Sequence, residues 1–406
     1  MPTLPRKIHI VAFDVPYPAD YGGVIDIFYK VKALFHSGVK VDLHMYHYGR
    51  KKSTQKLKKY CNKLYYYKRR TFKNPFIGST PYIVNSRNGD ALLINLCKDK
   101  SPILFEGLHT TYHLANPILK DRFKIVRTHN IEHHYYKQLE KSELRYFKKY
   151  FFRIEAEKLR KYESVLKHAN LIAAISPNDE QHFLKKYKNV MYLPAFHSNE
   201  KMQFPEIKED YLLYHGNLAV PENYIAAIQL IKNVFSKSTV KCIIAGNNPP
   251  KELEKLCALY PNIELKTNIS TNQIHKLIEA ARINVLYTNQ NTGIKLKLLN
   301  ALSRGKFAVV NPLMVEGTGL ENICIVGNNF NKIEKKIDEY MLLDYTVAYF
   351  ENRKDYLEAN FSNKSSAIKL LEQVKFKEDE EGERKSDKPI LKNLSQFSLF
   401  LSFFSV

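Results

Sequence analysis

Lys295 and Lys297 stand out first among residues that could do chemistry, in the run Thr292-Gly293-Ile294-Lys295-Leu296-Lys297-Leu298-Leu299-Asn300-Ala301-Leu302. Ile294, Leu298 and Leu302 recur every four residues, so the segment reads as a helix with one buried face. Both cations then fall in its first turn, where the helix dipole disfavours each by roughly 0.3–1 kcal/mol. The nearest acids in sequence are Glu279 before and Glu316 after, too far along the chain to compensate. An anion held at that helix end would turn the penalty into attraction. Solvated lysines whose stems cover apolar surface are the alternative.

Three further stretches belong with it. Gly22 and Gly23 follow the apolar run Ile8–Phe13 and precede a helical stretch, a place where backbone N–H groups and a helix N-terminus receive phosphate; a tight turn needing positive φ is the other reading. Arg127-Thr128-His129-Asn130-Ile131-Glu132-His133-His134 follows the apolar run Lys124–Val126. Polar residues at the C-terminal end of a parallel strand face the crevice where open α/β sheets bind ligands. His129 and His133, four apart, lack the HExxH order and a third ligand. His129 is therefore read as a cleft histidine or a satisfied structural one, and no metal is expected. His109, after Ile103–Phe105, carries the same two readings. Tyr214-His215-Gly216-Asn217-Leu218 mirrors the glycine turn later in the chain.

The elements that must position these residues alternate from end to end. After Ile8–Phe13 come Val24, Ile27, Phe28, Val31, Leu34 and Phe35 at helical spacing, then Val39–Leu43 as a strand: a βαβ unit. Ile103–Phe105, Lys124–Val126 and Leu171–Ile175 continue the series, with a long charged helical tract from about Tyr135 to His168. A polar linker near 198–210 precedes a second series: Tyr211–Tyr214, Val240–Ala245, Ile263–Leu265, Ile283–Leu286, Phe307–Val310 and Ile323–Val326. The expected organisation is a Rossmann-like α/β domain at 1–200, another at 205–345, a helical segment at 346–375 and a disordered tail at 376–406.

Composition narrows the class. Of 406 residues, 44% are hydrophobic and 26% charged, as in globular proteins. No apolar run is long enough to span a bilayer. The five scattered cysteines contain no CxxC pair, which argues against a disulfide framework and fits a reducing compartment. The net charge of +22 resides almost wholly in residues 1–200. Arg50 to Lys73 adds basic residues interleaved with Tyr60, Tyr65, Tyr66, Tyr67 and Phe72 and holds no acid. Such a tract suits an anionic membrane surface, single-stranded nucleic acid or a merely solvated face.

In their order along residues 8–345, these motifs resemble the retaining glycosyltransferases of the GT-B fold, especially family 4. The resemblance rests on the strand–Gly22-Gly23–helix opening, the His129 strand end, Ala173-Ala174-Ile175-Ser176, the Tyr214–Leu218 turn, Ile244-Ala245-Gly246, and Gly293–Leu302 followed by Gly305. It implies two Rossmann-like domains facing each other across a cleft, with a nucleotide-diphosphate sugar held mainly by the second and the acceptor by the first. Gly22, Gly23, Gly216, Asn217, Gly293, Lys295, Lys297 and Asn300 become donor-binding residues, with His129 and Lys295 catalytic. The helix at 346–375 looks like the one that crosses back onto the first domain.

Two departures are visible. Thr292 and Asn300 stand where many relatives carry two glutamates eight apart, and Gly216-Asn217 stands where many have Gly-Arg. More of the diphosphate binding therefore falls to Lys295 and Lys297. The expectation is a cytoplasmic hexosyltransferase at the inner face of the cell membrane, using no cofactor beyond its donor sugar and retaining anomeric configuration. Its acceptor would be a glycan or glycolipid on an anionic membrane surface, with no nucleic acid partner. A sugar-nucleotide epimerase of the same architecture and a basic nucleic-acid-binding protein are the rival readings.

Overall fold

The computed structural model describes residues 6–49, 54–71, 78–143, 145–206, 209–290, 295–374 and 376. Two parallel sheets organise it. The first contains β1 (Lys7–Ala12), β2 (Lys40–His47), β3 (Lys63–Lys68), β4 (Ile103–Glu106), β5 (Lys124–Arg127), β6 (Leu171–Ala174) and β7 (Val190–Tyr192), in the order β3-β2-β1-β4-β5-β6-β7. The second contains β8 (Tyr211–His215), β9 (Lys241–Ala245), β10 (Ile263–Lys266), β11 (Ile283–Leu286), β12 (Phe307–Val310) and β13 (Ile325–Val326), in the order β10-β9-β8-β11-β12-β13. Strands covered by helices on both faces read as near-continuous apolar runs, as β4, β6, β11 and β12 do. In each sheet the strand order reverses beside the first strand, at β1/β4 and at β8/β11. Those are the crevices where such sheets take ligands.

Several elements differ from their sequence reading. The basic tract supplies β3, whose tyrosines the fold engages: Tyr65 stacks on His44 at 4.5 Å between ring centroids, and the Tyr67 hydroxyl meets His44 Nδ1 at 2.8 Å. The charged tract after β5 is a helical hairpin, Glu132–Ser142 then Tyr146–Tyr162, ending in a 3₁₀ turn at Glu163–His168. Extended backbone at Glu143 and Arg145 breaks it without any glycine or proline. Folding back lets Tyr136 meet Phe152 edge-on at 5.9 Å, a contact one straight helix could not make. In the helix Gly22–His36, Phe35 is exposed, whereas Asp26 and Lys30 are buried.

The final segment is also two helices, Val347–Phe361 and Asn363–Gln373. Phe350 joins the core of the second sheet, and Leu357 and Phe361 pack with Leu298, Leu299 and Leu302. Ala367, Leu370 and Leu371 lie in the core beneath the first sheet, against the helix Gly22–His36. Where the chain crosses between lobes it does so twice, and the crossings are bonded to each other. His197 N donates to Asn363 Oδ1 (3.0 Å), Asn363 Nδ2 donates to His197 O (2.8 Å), and the His197 ring donates to Phe361 O (2.9 Å).

Candidate functional site

At the first crevice a buried ion network joins β4, β5 and the helix Gly22–His36. Lys30 Nζ donates to Asp26 Oδ2 (2.8 Å) and to both oxygens of Glu106 (2.8 and 3.0 Å). Arg127 reaches both oxygens of Asp26 (3.0 and 3.2 Å), and Phe196 N donates to Asp26 Oδ1 (2.9 Å). All four charged side chains are fully buried. Burial alone would raise the Asp26 pKa, yet Arg127 and Lys30 hold it far below the usual carboxylate range. Asp26, Glu106 and His129 converge with a spacing a metal ion could bridge, but Lys30 already supplies a cation to both carboxylates.

His129 stands on this base. Its Nε2–H donates to Glu106 Oε2 (2.9 Å), which leaves Nδ1 as an acceptor, and Nδ1 has no hydrogen-bond partner. The ring sits edge-on to Phe13, which also touches His109. His133 turns elsewhere, to Glu163, so the two histidines do not share one site. Around His129 further buried polar atoms lack hydrogen-bond partners: Thr128 Oγ1, Asp179 Oδ2, and His109 Nδ1 and Glu132 Oε1, which face each other at 3.7 Å. Burial, with the neighbouring Asp179, pushes the Glu132 carboxyl up to about 8. His109 is held well below its ordinary value by burial. Such a concentration of unsatisfied groups marks a place that expects a polar guest.

Gly22 and Gly23 open the helix beside this crevice, and neither has positive φ, so a left-handed turn is not what they provide. A Cβ on Gly23 would meet Phe13 Cζ at 2.5 Å; the ring's approach explains the glycine. The side chain of its N-cap residue, Tyr21, makes no capping hydrogen bond.

The second crevice gathers Lys295 and Lys297. Lys295 is the N-cap of the helix Leu296–Arg304 rather than a first-turn residue, and Lys297 lies inside that turn. The expected lack of a nearby acid is corrected by the fold. Glu222, in the first turn of the helix Pro221–Asn233, puts Oε1 3.6 Å from Lys295 Nζ and accepts from Thr288 Oγ1 (2.7 Å). Lys295 also donates to Gln290 O (3.1 Å). Lys297 donates to Asn223 Oδ1 (3.0 Å) and lies over the Tyr214 ring, 5.5 Å from its centre. Burial pushes Lys297 down to about 8 against the pull of Glu222, and burial lowers Lys295 as well. His215, buried beside Lys297, is pushed down to about 3 and its Nε2 has no partner.

Gly216 and Gly246, at the ends of β8 and β9, pass so close that a Cβ on Gly246 would lie 1.9 Å from Gly216 O. Asn217 is exposed and shapes the turn by accepting from Ala219 N (3.2 Å). Asn300 accepts from Asn199 Nδ2 (2.9 Å), which ties it to the segment joining the lobes. Gly293 lies outside the described residues. Lys295 shares a small cavity, about 20 Å³, with Ile175, Ser176 and Ala195 of the first lobe, so the second crevice meets the end of β6. Tyr135, beside Glu132, is within electrostatic reach of Glu222. A larger cavity of about 1040 Å³, lined by His197, Asn199 and Asn363, touches none of these candidates. Asp26, Lys30, Glu106, Glu132 and Glu222 were not singled out from sequence.

With this geometry in hand, the likenesses to known proteins are coherent. Residues 209–341 match the family described as Glycosyl transferases group 1. Over 374 residues the chain is 28% identical to an uncharacterized 44.6 kDa protein in the cps region of Klebsiella pneumoniae, covering 88% of this chain and 94% of that one. A TarM variant from S. aureus, solved with fondaparinux, alpha-GlcNAc-glycerol and UDP, superposes with a TM-score of 0.65 at 14% identity, covering 91% of this chain and 99% of that one. Sucrose-phosphate synthase from Thermosynechococcus elongatus superposes with 0.65 at 13%, covering 90% and 98%. The fold is GT-B, two Rossmann-like domains facing across a cleft. The chain is a glycosyltransferase, and its second lobe carries the group 1 pattern. The epimerase and nucleic-acid readings draw no support from these matches.

Proposed function

We propose that this glycosyltransferase moves a hexosyl group from a nucleotide-diphosphate sugar to a glycan or lipid-linked glycan, with retention, at the cytoplasmic face of an anionic membrane. The observation that carries the reading is buried Lys295, paired with Glu222, beside half-buried Lys297, which feels the same carboxylate. In transfer, the bond between the sugar's anomeric carbon and the diphosphate oxygen breaks, and negative charge grows on the leaving group. Ammonium groups already desolvated beside it stabilise that charge without reorganising. The amides at Gly22 and Gly23, at a helix N-terminus, add donors from the other lobe. His129, fixed by Glu106, offers Nδ1 to a hydroxyl of the sugar. A donor phosphate oxygen takes the acceptor's proton as the acceptor oxygen bonds to the same face of the anomeric carbon, so no carboxylate base is needed. UDP in the TarM complex and the cps-region relative support a nucleotide donor and a polysaccharide context. No helix among the described residues is long and apolar enough to cross a membrane.

The test is calorimetric titration with nucleotide diphosphates and their sugars, followed by NMR of the product's anomeric proton. Binding of a nucleotide diphosphate that disappears in the Lys295→Ala/Lys297→Ala double variant supports the reading. Undiminished binding in that variant moves the donor elsewhere, and an inverted product removes retention.

A further inference from the structure

The tip of the hairpin after β5 has a surface that water does not favour. Tyr146 is 86% exposed, Phe147 91% and Tyr150 56%. Arg145, Lys148, Lys149 and Arg153 are exposed around them, with Lys141 across the turn. Between residues 144 and 154 the sequence holds no acid, and among the described residues Arg145 pairs with Glu143 just before the helix (3.3 Å). The cations also stand at the wrong helix end. The helix Tyr146–Tyr162 has no acidic residue in its first turn, and Glu143, which accepts from Arg145 N (3.0 Å), is one acid against the four cations Arg145, Lys148, Lys149 and Arg153 at its positive dipole end. Two independent features, the exposed rings of Tyr146 and Phe147 and an excess of positive charge near the start of a 17-residue helix, ask for a partner both amphipathic and anionic.

The basic tract flagged from sequence, by contrast, spends its described aromatics internally. Tyr60 packs on Phe28 and Phe35, Tyr65 on His44, and the Tyr67 hydroxyl takes a hydrogen bond from Asn95 Nδ2 (2.9 Å).

We propose that the hairpin tip, Tyr146, Phe147 and Tyr150 ringed by Lys141, Lys148, Lys149 and Arg153, docks into the headgroup layer of an anionic bilayer. Aromatic rings settle at the membrane–water boundary, and lysines beside them bind lipid phosphates. A second copy of the chain would bring like charges together, and a projecting tip lacks the groove that single-stranded nucleic acid follows. The helix Glu132–Ser142 begins beside the orphaned polar atoms of the first crevice, and its eleven residues span about 16 Å at 1.5 Å each. A lipid held at the tip therefore carries its head group toward the crevice. This deepens the proposed function, resting on its membrane-linked acceptor.

The experiment is sedimentation of the full chain with vesicles of phosphatidylcholine alone or with added phosphatidylglycerol, beside UDP binding measured on the same preparations. The wild type should bind the anionic vesicles and release with salt. Lys148→Glu/Lys149→Glu should weaken partitioning by about 25-fold or more, at roughly fivefold per basic residue, and Tyr146→Ser/Phe147→Ser should abolish retention at moderate salt, both with UDP binding intact. Equal sedimentation of variants and wild type overturns the proposal. So does equal wild-type binding to neutral and anionic vesicles, tighter binding to oligo(dT) than to vesicles, or a dimer that Tyr146→Ser/Phe147→Ser converts to monomer. Loss of UDP binding in the wild type would instead strike the proposed function and leave the vesicle result readable.

Discussion

Asp26 and Glu106 in the first lobe meet Lys30 and Arg127, charge for charge, with every group fully buried. Among the described residues, Glu222 is the carboxylate set against Lys295 and Lys297 in the second lobe, and burial lowers the proton affinity of both. The same strand order thus supports a closed account of charge on one side of the cleft and an open one on the other. A neutralised network is rigid scaffold, and here it fixes the His129 ring through Glu106. An under-neutralised pair is ready to receive an anion. Buried charge marks a binding site only where its partners fall short.

Substitutions that turn one kind of cluster into the other test this contrast. Asp26→Asn leaves Lys30 and Arg127 short of a carboxylate and should cost about 3–5 kcal/mol of stability, read by chemical denaturation. A loss below about 1 kcal/mol, the worth of an exposed pair, would mean the network is no scaffold. Lys295→Ala should leave the unfolding midpoint nearly unchanged while lowering kcat by about 10²–10³; the reverse pattern would make the second cluster structural too.

Glu132→Gln addresses a group belonging to neither account. With a folded pKa of about 8 against an ordinary 4.5, the folded state holds the extra proton between those values, so stability falls as pH rises through the window. The glutamine variant should therefore exceed the wild type by about 2–4 kcal/mol at pH 8–9 and match it near pH 4. Melting curves that run parallel at all pH values would show that Glu132 is solvated. The smallest effect concerns Lys297, whose free-protein pKa of about 8 lies below its ordinary 10.5. Affinity for UDP should hold steady below pH 8 and then weaken by up to about tenfold per unit. Lys297→Arg should flatten that limb. A flat wild-type profile to pH 9.5 would remove Lys297 from diphosphate binding.

Much of this was visible in the chain itself. Apolar runs such as Ile283–Leu286 and Phe307–Val310 marked strands, and the four-residue recurrence of Leu298 and Leu302 set Lys295 and Lys297 at a helix start. Asp26 and Lys30 left a signal, an i,i+4 charge pair amid the apolar positions Ile27 and Val31, but a periodicity count passes over it. Glu222 left none, because a partner seventy residues away along the chain becomes a neighbour only through β8 and β11. The strand β3 was hidden by its own composition, since Tyr65, Tyr66 and Tyr67 in a row erase the alternation that announces a strand.

The last helix has a bearing on how the protein is made. Ala367, Leu370 and Leu371 complete the interior of the lobe that is synthesised first. At about 5–20 residues per second a ribosome delivers them roughly 10–35 s after the final strand of that lobe's own sheet. Throughout that interval the flank of the helix Gly22–His36 waits uncovered, which makes the nascent amino-terminal half a natural client for a holdase. A stop codon just before Asn363 would prolong that exposure for good, even though every residue of both crevices had been translated.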